Sequence, residues 1–451
     1  MAEERFLTET KHQRFRPYSK YKDSGVEWLG EIPAYWEVKR IKNVARIHTG
    51  GTPAGLLDEA FEEEGIPWVK PDQLQGDCGI VAPDRRLSYN AAKSLGIVIA
   101  GSSLVCGIGT VGKTGHALVD VCTNQQINAI TFGPKVINRY GQFMTVCLEQ
   151  EFARRANKVT IAICNKSEMG EVPVCIPQTE EQRSIASFLD RETAKIDALV
   201  AKRERLIELL QEKRTALITQ AVTKGLDPNV PMKYSGVEWL GDVPIAWNLL
   251  RLKHIVQFLG GGTPSKDNLE YWQGDIPWVS PKDMKSWIVS DTVDKITEEA
   301  VAGSATKVVG PDTVLIVVRS GILNHTIPVA LSGSEVALNQ DLKALKAQAA
   351  VVPEYLAYFI AGMQSPLLFA WRKEGATVES LELDLIANTL IPLPSVSQQR
   401  IIVNYLKRET AKIDALVKKV QEAVQRLKEY RTALISAAVT GKIDVRDEVR
   451  R

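Results

Sequence analysis

Residues 107–114, Gly-Ile-Gly-Thr-Val-Gly-Lys-Thr, have the spacing of a phosphate-binding loop, GxxxxGK[ST]. In that chemistry backbone N–H groups cradle the phosphates, the lysine (here Lys113) neutralises them, and a helix begins directly after the loop. The next residues in this chain, Gly115-His116-Ala117-Leu118-Val119, read instead as a strand. A tight glycine turn that presents Lys113 fits better, with Arg319 as its counterpart further along. A second arrangement, Pro311-Asp312 with Asp341-Leu342-Lys343, imitates the PD-(D/E)xK nuclease constellation. That pattern is short and frequent. Metal chemistry has little to build on, because the histidines (His12, His48, His116, His254, His325) fit no ligand spacing. The cysteines (Cys78, Cys106, Cys122, Cys147, Cys164, Cys175) all lie in the first half and form no CxxC pair, so reduced thiols are expected. No Asn/Asp-Pro-Pro-aromatic tetrapeptide of an adenine methyltransferase occurs.

The elements that must position any site come as duplicates. Ser24-Gly-Val-Glu-Trp-Leu-Gly30 returns as Ser235 to Gly241, Gly50-Gly51-Thr52-Pro53 as Gly261 to Pro264, and Ile66-Pro67-Trp68-Val69 as Ile276 to Val279. Arg191-Glu-Thr-Ala-Lys-Ile-Asp-Ala-Leu-Val200 returns as Arg408 to Val417. Between these anchors the copies diverge, although Asn124-Gln125 matches Asn339-Gln340. Trp28, Trp36, Trp68 and their partners recur in both copies and read as core. The intervening segments are short, β-branched and punctuated by Gly and Pro. Val314–Val318 and Ala129–Phe132 read as strands and Glu354–Met363 as a helix, so each globular region is α+β.

After Pro177 and Pro394 the pattern changes. Thr179–Gln182 and Ser395–Gln398 fit capping boxes, and apolar residues then alternate at four and three. The predicted seam is Ile185, Leu189, Ile196, Leu199, Leu206, Leu210 and Leu217 in one helix. In the other it is Ile402, Leu406, Ile413, Leu416, Val420, Leu427 and Leu434. Gly225 and Gly441 lie past the ends. A parallel, repeat-matched pair would place Glu192 beside Glu409 in the seam, so an antiparallel coiled coil is expected. The predicted organisation is a basic arm (1–20), a first domain (21–175), a first helix (176–226), a second domain (227–393), a second helix (394–441) and a tail (442–451). The whole has pseudo-twofold character.

Two similar domains on an antiparallel rod suit duplex DNA, whose groove presents itself again every helical turn. The Ser-Gly-Val-Glu-Trp-Leu-Gly…Ile-Pro…Trp opening closely resembles the specificity subunit of type I restriction-modification systems. So do the Gly-Gly-Thr-Pro and Ile-Pro-Trp elements, and the Pro177–Arg183 stretch that leads to Arg-Glu-Thr-Ala-Lys-Ile-Asp. The likeness covers nearly the whole chain and occurs twice; the second helix departs from it only in having Gln398-Gln399-Arg400 for Glu181-Gln182-Arg183. The resemblance implies two target recognition domains, each reading one half of an asymmetric bipartite double-stranded DNA target. It implies two modification (methyltransferase) subunits, with S-adenosylmethionine, acting on adenine N6. It also implies restriction/translocase subunits using ATP and Mg. The chain itself would be non-catalytic and hold no cofactor or metal.

For base readout the useful groups are Arg or Lys on guanine and Asn or Gln on adenine. Candidates are Lys70, Lys113, Asn124, Gln125 and Gln126 in the first domain. In the second they are Ser280, Lys282, Arg319, Asn324, His325, Asn339 and Gln340. Each has an ordinary turn role as its alternative. The opposing readings for the chain are a P-loop NTPase and a coiled-coil scaffold that does not bind DNA. Net charge is +2 over 451 residues, so DNA affinity would need local basic surface. No signal-peptide pattern and no apolar run of membrane-spanning length occur, and a cytoplasmic protein without a membrane partner is expected.

Overall fold

The computed structural model describes residues 15–53, 60–76, 79–80, 85–157, 160–373, 375 and 378–449. Residues 1–14 of the expected arm, His12 among them, and Cys78 lie outside that set. The chain divides into two compact units, residues 1–203 with 422–451, and residues 204–421. No helix among the described residues is long and apolar enough to cross a membrane.

The first unit is built on an antiparallel sheet of β1 (Ala45–Thr49), β2 (Ser103–Cys106), β3 (Thr114–His116) and β4 (Ile127–Phe132), in the order β1-β4-β2-β3. A smaller sheet pairs Phe61–Val69 with Arg86–Leu87 and, in parallel, with Cys122–Thr123. Helix α1 (Asn138–Cys147) buries Tyr140, Phe143 and Met144, and the long helix α2 (Thr179–Lys224) comes after it.

The second unit repeats the plan with β5 (Val256–Gly260), β6 (Val314–Val317), β7 (Val329–Ser332) and β8 (Leu342–Ala347). The order is β5-β8-β6-β7, and Ile288–Val289 adds in parallel to β7. Helix α3 (Pro353–Gly362) and the long helix α4 (Val396–Val439) complete it. Of the tryptophans expected in the core, Trp36, Trp68, Trp247 and Trp278 are buried, while Trp28 and Trp239 are half-buried and pack against its edge.

Each unit contains the start of one long helix and the end of the other. The first core takes Ile185, Phe188 and Leu189 from α2 and Leu434, Ile435 and Ala438 from α4. The second takes Ile218 and Val222 from α2 and Ile402 and Leu406 from α4. Within each unit the helices therefore run antiparallel, and an Arg–Asp pair marks the register. Arg431 Nε meets Asp197 at 2.8 Å in the first unit, and Arg214 Nε meets Asp414 at 2.9 Å in the second. These are the same two repeat positions with the helices exchanged: Asp197 recurs as Asp414 and Arg214 as Arg431.

The seam departs from the predicted heptad. Leu199, Leu206 and Leu416 are 47%, 40% and 44% exposed. The buried positions are instead Gln182, Ile185, Leu189, Thr193, Ile196 and Val200, repeated at Gln399, Ile402, Leu406, Thr410 and Ile413. Their spacing inserts two successive steps of four. Such a stutter shifts the apolar stripe by one position and turns those leucines outward. Ile185, Leu189, Ile196, Ile402, Leu406, Ile413, Val420 and Leu434 are buried as expected, while Leu210, Leu217 and Leu427 are half-buried.

The domains are bolted to the helices by buried groups that recur in both copies. Gln182 Oε1 accepts from Ile137 N at 2.8 Å, and its Nε2 donates to Lys135 O and Pro177 O at 2.9 and 3.0 Å. Gln399 does the same with Val352 N, Ala350 O and Pro394 O. Gln182 is thus not the capping-box residue the sequence suggested. The first turn of α2 bonds back to Gln178, one residue earlier. At α4 the Ser395–Gln398 box does form. Tyr140 OH donates to Cys175 O and to Val439 O at the end of α4. Tyr355 OH donates to Pro392 O and to Val222 O near the end of α2. Complete burial pushes both phenols well above their ordinary pKa, so they remain donors.

A surface pair at the same joint is charge-reversed between the copies. Arg139 meets Asp190 at 2.6 Å, whereas Glu354 meets Lys407 at 2.5 Å. Exposed pairs contribute little. Arg139→Glu is expected to destabilise the first unit by about 1 kcal/mol, and adding Asp190→Lys should restore it by copying the second unit. Urea unfolding of the single and double variants checks the rescue.

Within the expected basic arm, two aromatic residues pack against the first unit while Arg16, Pro17, Ser19 and Lys20 are exposed. Tyr18 is buried, Phe15 packs edge-on against Phe188, and Arg16 bridges to Asp444 in the tail.

Candidate nucleic-acid interface

Four loops converge at one end of each main sheet. In the first domain these are Gly50–Pro53, the 3-10 turn Pro71–Gln73, the β2–β3 connection (107–113), and the turn Asn124–Gln126. Lys113 Nζ donates to Pro71 O at 2.9 Å, Gly107 N to Gln126 O at 2.7 Å, and Asn124 N to Val69 O at 3.0 Å. Thr52 Oγ1 donates to Gln125, and Trp68 Nε1 to Gly51 O at 3.1 Å. The second domain repeats the knot. Val318 N donates to Asp341 O at 2.8 Å, Asn339 N to Val279 O at 3.0 Å, Thr263 to Gln340, and Trp278 Nε1 to Gly262 O at 3.1 Å.

The glycines of Gly-Gly-Thr-Pro have a packing reason. A Cβ on Gly50 would lie 2.2 Å from Thr123 O, and one on Gly261 would lie 2.0 Å from Asn339 O. No side chain fits where the loop crosses the Asn turn.

This geometry sorts the candidate residues. Asn124 and Asn339 are buried, and their side chains accept from the N–H two residues on while donating to Gln126 and Asp341. Ser280 is buried too, and its hydroxyl donates to Asp283 Oδ2 at 2.7 Å. These three side chains are committed to the turns that hold the loops. Lys70, the counterpart of Ser280, is half-buried, with its ammonium 5.1 Å from the Trp68 ring. Gln125 and Gln340 are exposed on the turns, and Gln126 is half-buried. Asn324 and His325 are exposed in the β6–β7 connection, where Asn324 accepts from Arg372 at 3.3 Å. Lys282 is exposed and paired with Asp294 at 2.6 Å, which raises its pKa.

The equation of Lys113 with Arg319 does not hold. Cys106 N donates to Lys113 O as Val317 N donates to Pro328 O, so Lys113 corresponds to Pro328. Arg319 corresponds to Ile108, each of them bridging to an outer segment, at Ser380 and Ile163 respectively. Arg319 pairs with Asp341 at 2.6 Å. That bond takes up one carboxylate of the nuclease-like pattern.

The phosphate-loop reading fails on its context. Residues 107–113 join two antiparallel strands, and no helix opens after Lys113. Gly112 has φ 92°, and a Cβ there would meet Glu149 O at 2.5 Å, so the glycine serves the turn. Purified protein is expected to turn over no ATP, and Lys113→Ala to lower stability by about 1 kcal/mol through lost carbonyl bonds. A robust ATPase rate abolished by that substitution would contradict the assignment.

The sequence pattern gave Gln182 a capping role in place of its bolting role, and did not single out Gln399, Tyr140 or Tyr355. The signal was available, because each pair falls at equivalent positions of the duplication.

The family described as the type I restriction modification DNA specificity domain matches residues 33–209 and 244–426, once in each copy. The specificity subunit of the type I restriction enzyme EcoR124I/EcoR124II from Escherichia coli is 33% identical over 299 residues, covering 66% of this chain and 68% of that one. The MjaIX specificity subunit from Methanocaldococcus jannaschii is 30% identical over 442 residues, covering 96% and 99%. A chain solved in work on complex assembly and conformational transition of the type I R-M system has the same fold. Its TM-score is 0.64 at 17% identity, over 90% of this chain and 98% of that one. A duplicated loop knot on paired sheets, bolted twice to long helices, thus coincides with a family matched twice, and the chain belongs to the non-catalytic DNA specificity subunits of type I restriction-modification systems.

Proposed function

We propose that each domain reads one half of an asymmetric, bipartite duplex target through its loop knot, and that the paired helices set the spacer. The observation that carries this reading is the division of labour inside the knot. Shared residues (Gly50, Gly261, Asn124, Asn339) hold the loops, while several of the positions around them differ between copies. Lys70 stands against Ser280, Gln126 against Asp341, and residues 107–113 against 318–328. Arg319, Asn324 and His325 carry base-reading chemistry in the second domain. Gln125 and Gln340 are common to both copies, so they suit contacts that do not depend on sequence, such as backbone phosphates.

The outward leucines give the helices a second task. Leu199 in the first unit, and Leu206, Leu209 and Leu416 in the second, offer apolar surface to partner helices. Two modification subunits, supplying S-adenosylmethionine chemistry at adenine N6, are the partners this reading assigns. Restriction subunits that use ATP and Mg join them, in the cytoplasm.

Replacing residues 66–175 by those of a relative tests the reading. The methylated half-site belonging to the first domain is expected to change and the other to stay. A change at both ends, or at neither, would overturn independent reading. Duplex binding in complex with the modification subunits should weaken steeply with salt. A scaffold without DNA affinity would show no such dependence.

A further inference from the structure

The two copies differ sharply at the place where each domain's second tryptophan, Trp36 or Trp247, meets the first turns of the long helix that starts in its unit. In the first unit the chain covers this place with its own ends. Tyr18 lies edge-on to Trp36, with ring centroids 5.8 Å apart, and Phe15 lies against Phe188 at 5.4 Å. From the tail, the Arg446 guanidinium sits 5.2 Å from the Tyr18 ring and 6.0 Å from the Tyr35 ring. Glu181 accepts from Tyr35 OH at 2.9 Å and from Trp36 Nε1 at 3.1 Å, closing the seat from below.

The second unit keeps the frame but not the rings: by the repeat offset Leu226 to Asn229 stand where the first copy has Phe15 to Tyr18. Trp247, Pro244 and Ile402 stand for Trp36, Pro33 and Ile185. Tyr35 is replaced by Ala246, Glu181 by Gln398 and Arg446 by Asn229. What remains is a groove of about 500 Å³, walled by Leu226, Pro231, Ile245, Trp247, Ile401 and Ile402. Its rim has gained apolar bulk in the same step. Ala34 and Ser184 of the first copy become Ile245 and Ile401, which are 54% and 60% exposed, and Leu226 beside them is 40% exposed. Aliphatic side chains exposed together around a concavity are the mark of a surface that another chain covers.

We infer that this groove seats a polypeptide segment of a modification subunit that presents an aromatic ring, in the place against the tryptophan that the Tyr18 ring takes in the first copy. The duplicate supplies the chemistry of the occupant. It is an extended peptide whose ring packs edge-on to a tryptophan, with polar groups at one margin. The groove's charged rim residues, Lys224 and Asp227, oppose each other and do not suit a phosphate backbone. The inference rests on the assembly proposed above.

The test uses the full chain reconstituted with modification subunits and duplex DNA. A photoreactive benzophenone side chain at position 401 is expected to crosslink to the modification subunit. The pair Ile245→Ala and Ile401→Ser, which restores the residues of the first copy, is expected to weaken assembly by roughly tenfold or more. Because both side chains are exposed, the unfolding midpoint should not move. Crosslinks only to DNA or to a second copy of this chain, or an unchanged affinity in a complex that does form, would overturn the inference while leaving the assembly intact. Failure of any complex to form would overturn the assembly reading, and the inference with it.

Discussion

Gln182→Leu is expected to destabilise the first unit by about 3 kcal/mol or more, a large fraction of a typical domain's stability. Leucine has nearly the right volume, so the effect isolates hydrogen bonding from packing. The substitution strands Ile137 N–H, Lys135 C=O and Pro177 C=O around a side chain with no exposed surface. A buried backbone group left without a partner costs about 1–3 kcal/mol, and three are affected. Gln399→Leu should have the same effect on the second unit, where Val352 N–H, Ala350 C=O and Pro394 C=O lose their partner. Equilibrium denaturation of the two variants would read this out. A loss below about 0.5 kcal/mol in both would mean that the domains are not fastened to the helices through these amides.

Much of the architecture is legible in the sequence because duplication writes the same constraint twice. Identical words at Gly50–Pro53 and Gly261–Pro264, and at Arg191–Val200 and Arg408–Val417, define the domain order and the helices. Antiparallel pairing comes from the electrostatics of one glutamate position. Past Leu189 the predicted seam keeps Ile196 but misplaces the alternate positions, with Val200 buried and Leu199 exposed. A strict heptad and a stutter differ there only in whether Glu192 or Thr193 faces inward, and both are polar. Base-reading residues are harder to separate from turn-formers, because Asn and Gln serve both tasks. Burial decides it for Asn124, whereas Gln125, its neighbour, points to solvent. The Lys113–Arg319 equation fails because sequence spacing carries no strand register. The ladder Val105↔Thr114 beside Ile316↔Val329 corrects it.

A seven-residue insertion made in both long helices, after Arg203 and after Gln421, is expected to lengthen the methylated target's spacer while leaving both half-sites unchanged. Seven residues add about 10 Å of helix, or about three base-pair steps of duplex. Seven residues also return the apolar stripe to within about 20° of its starting face, so the seam survives. The insertion must be matched. Asp197–Arg431 and Arg214–Asp414 pair residues on facing helices within each unit. Lengthening only one helix would leave seven residues without a partner and would have to bulge or break one of those registers. A one-helix insertion should therefore lower stability without producing a clean new spacer, whereas the matched insertion should do the reverse. Genome-wide mapping of methylated adenines reads both outcomes in one measurement. An unchanged spacer in the stably folded double insertion would show that the distance between half-sites is set elsewhere than in these helices.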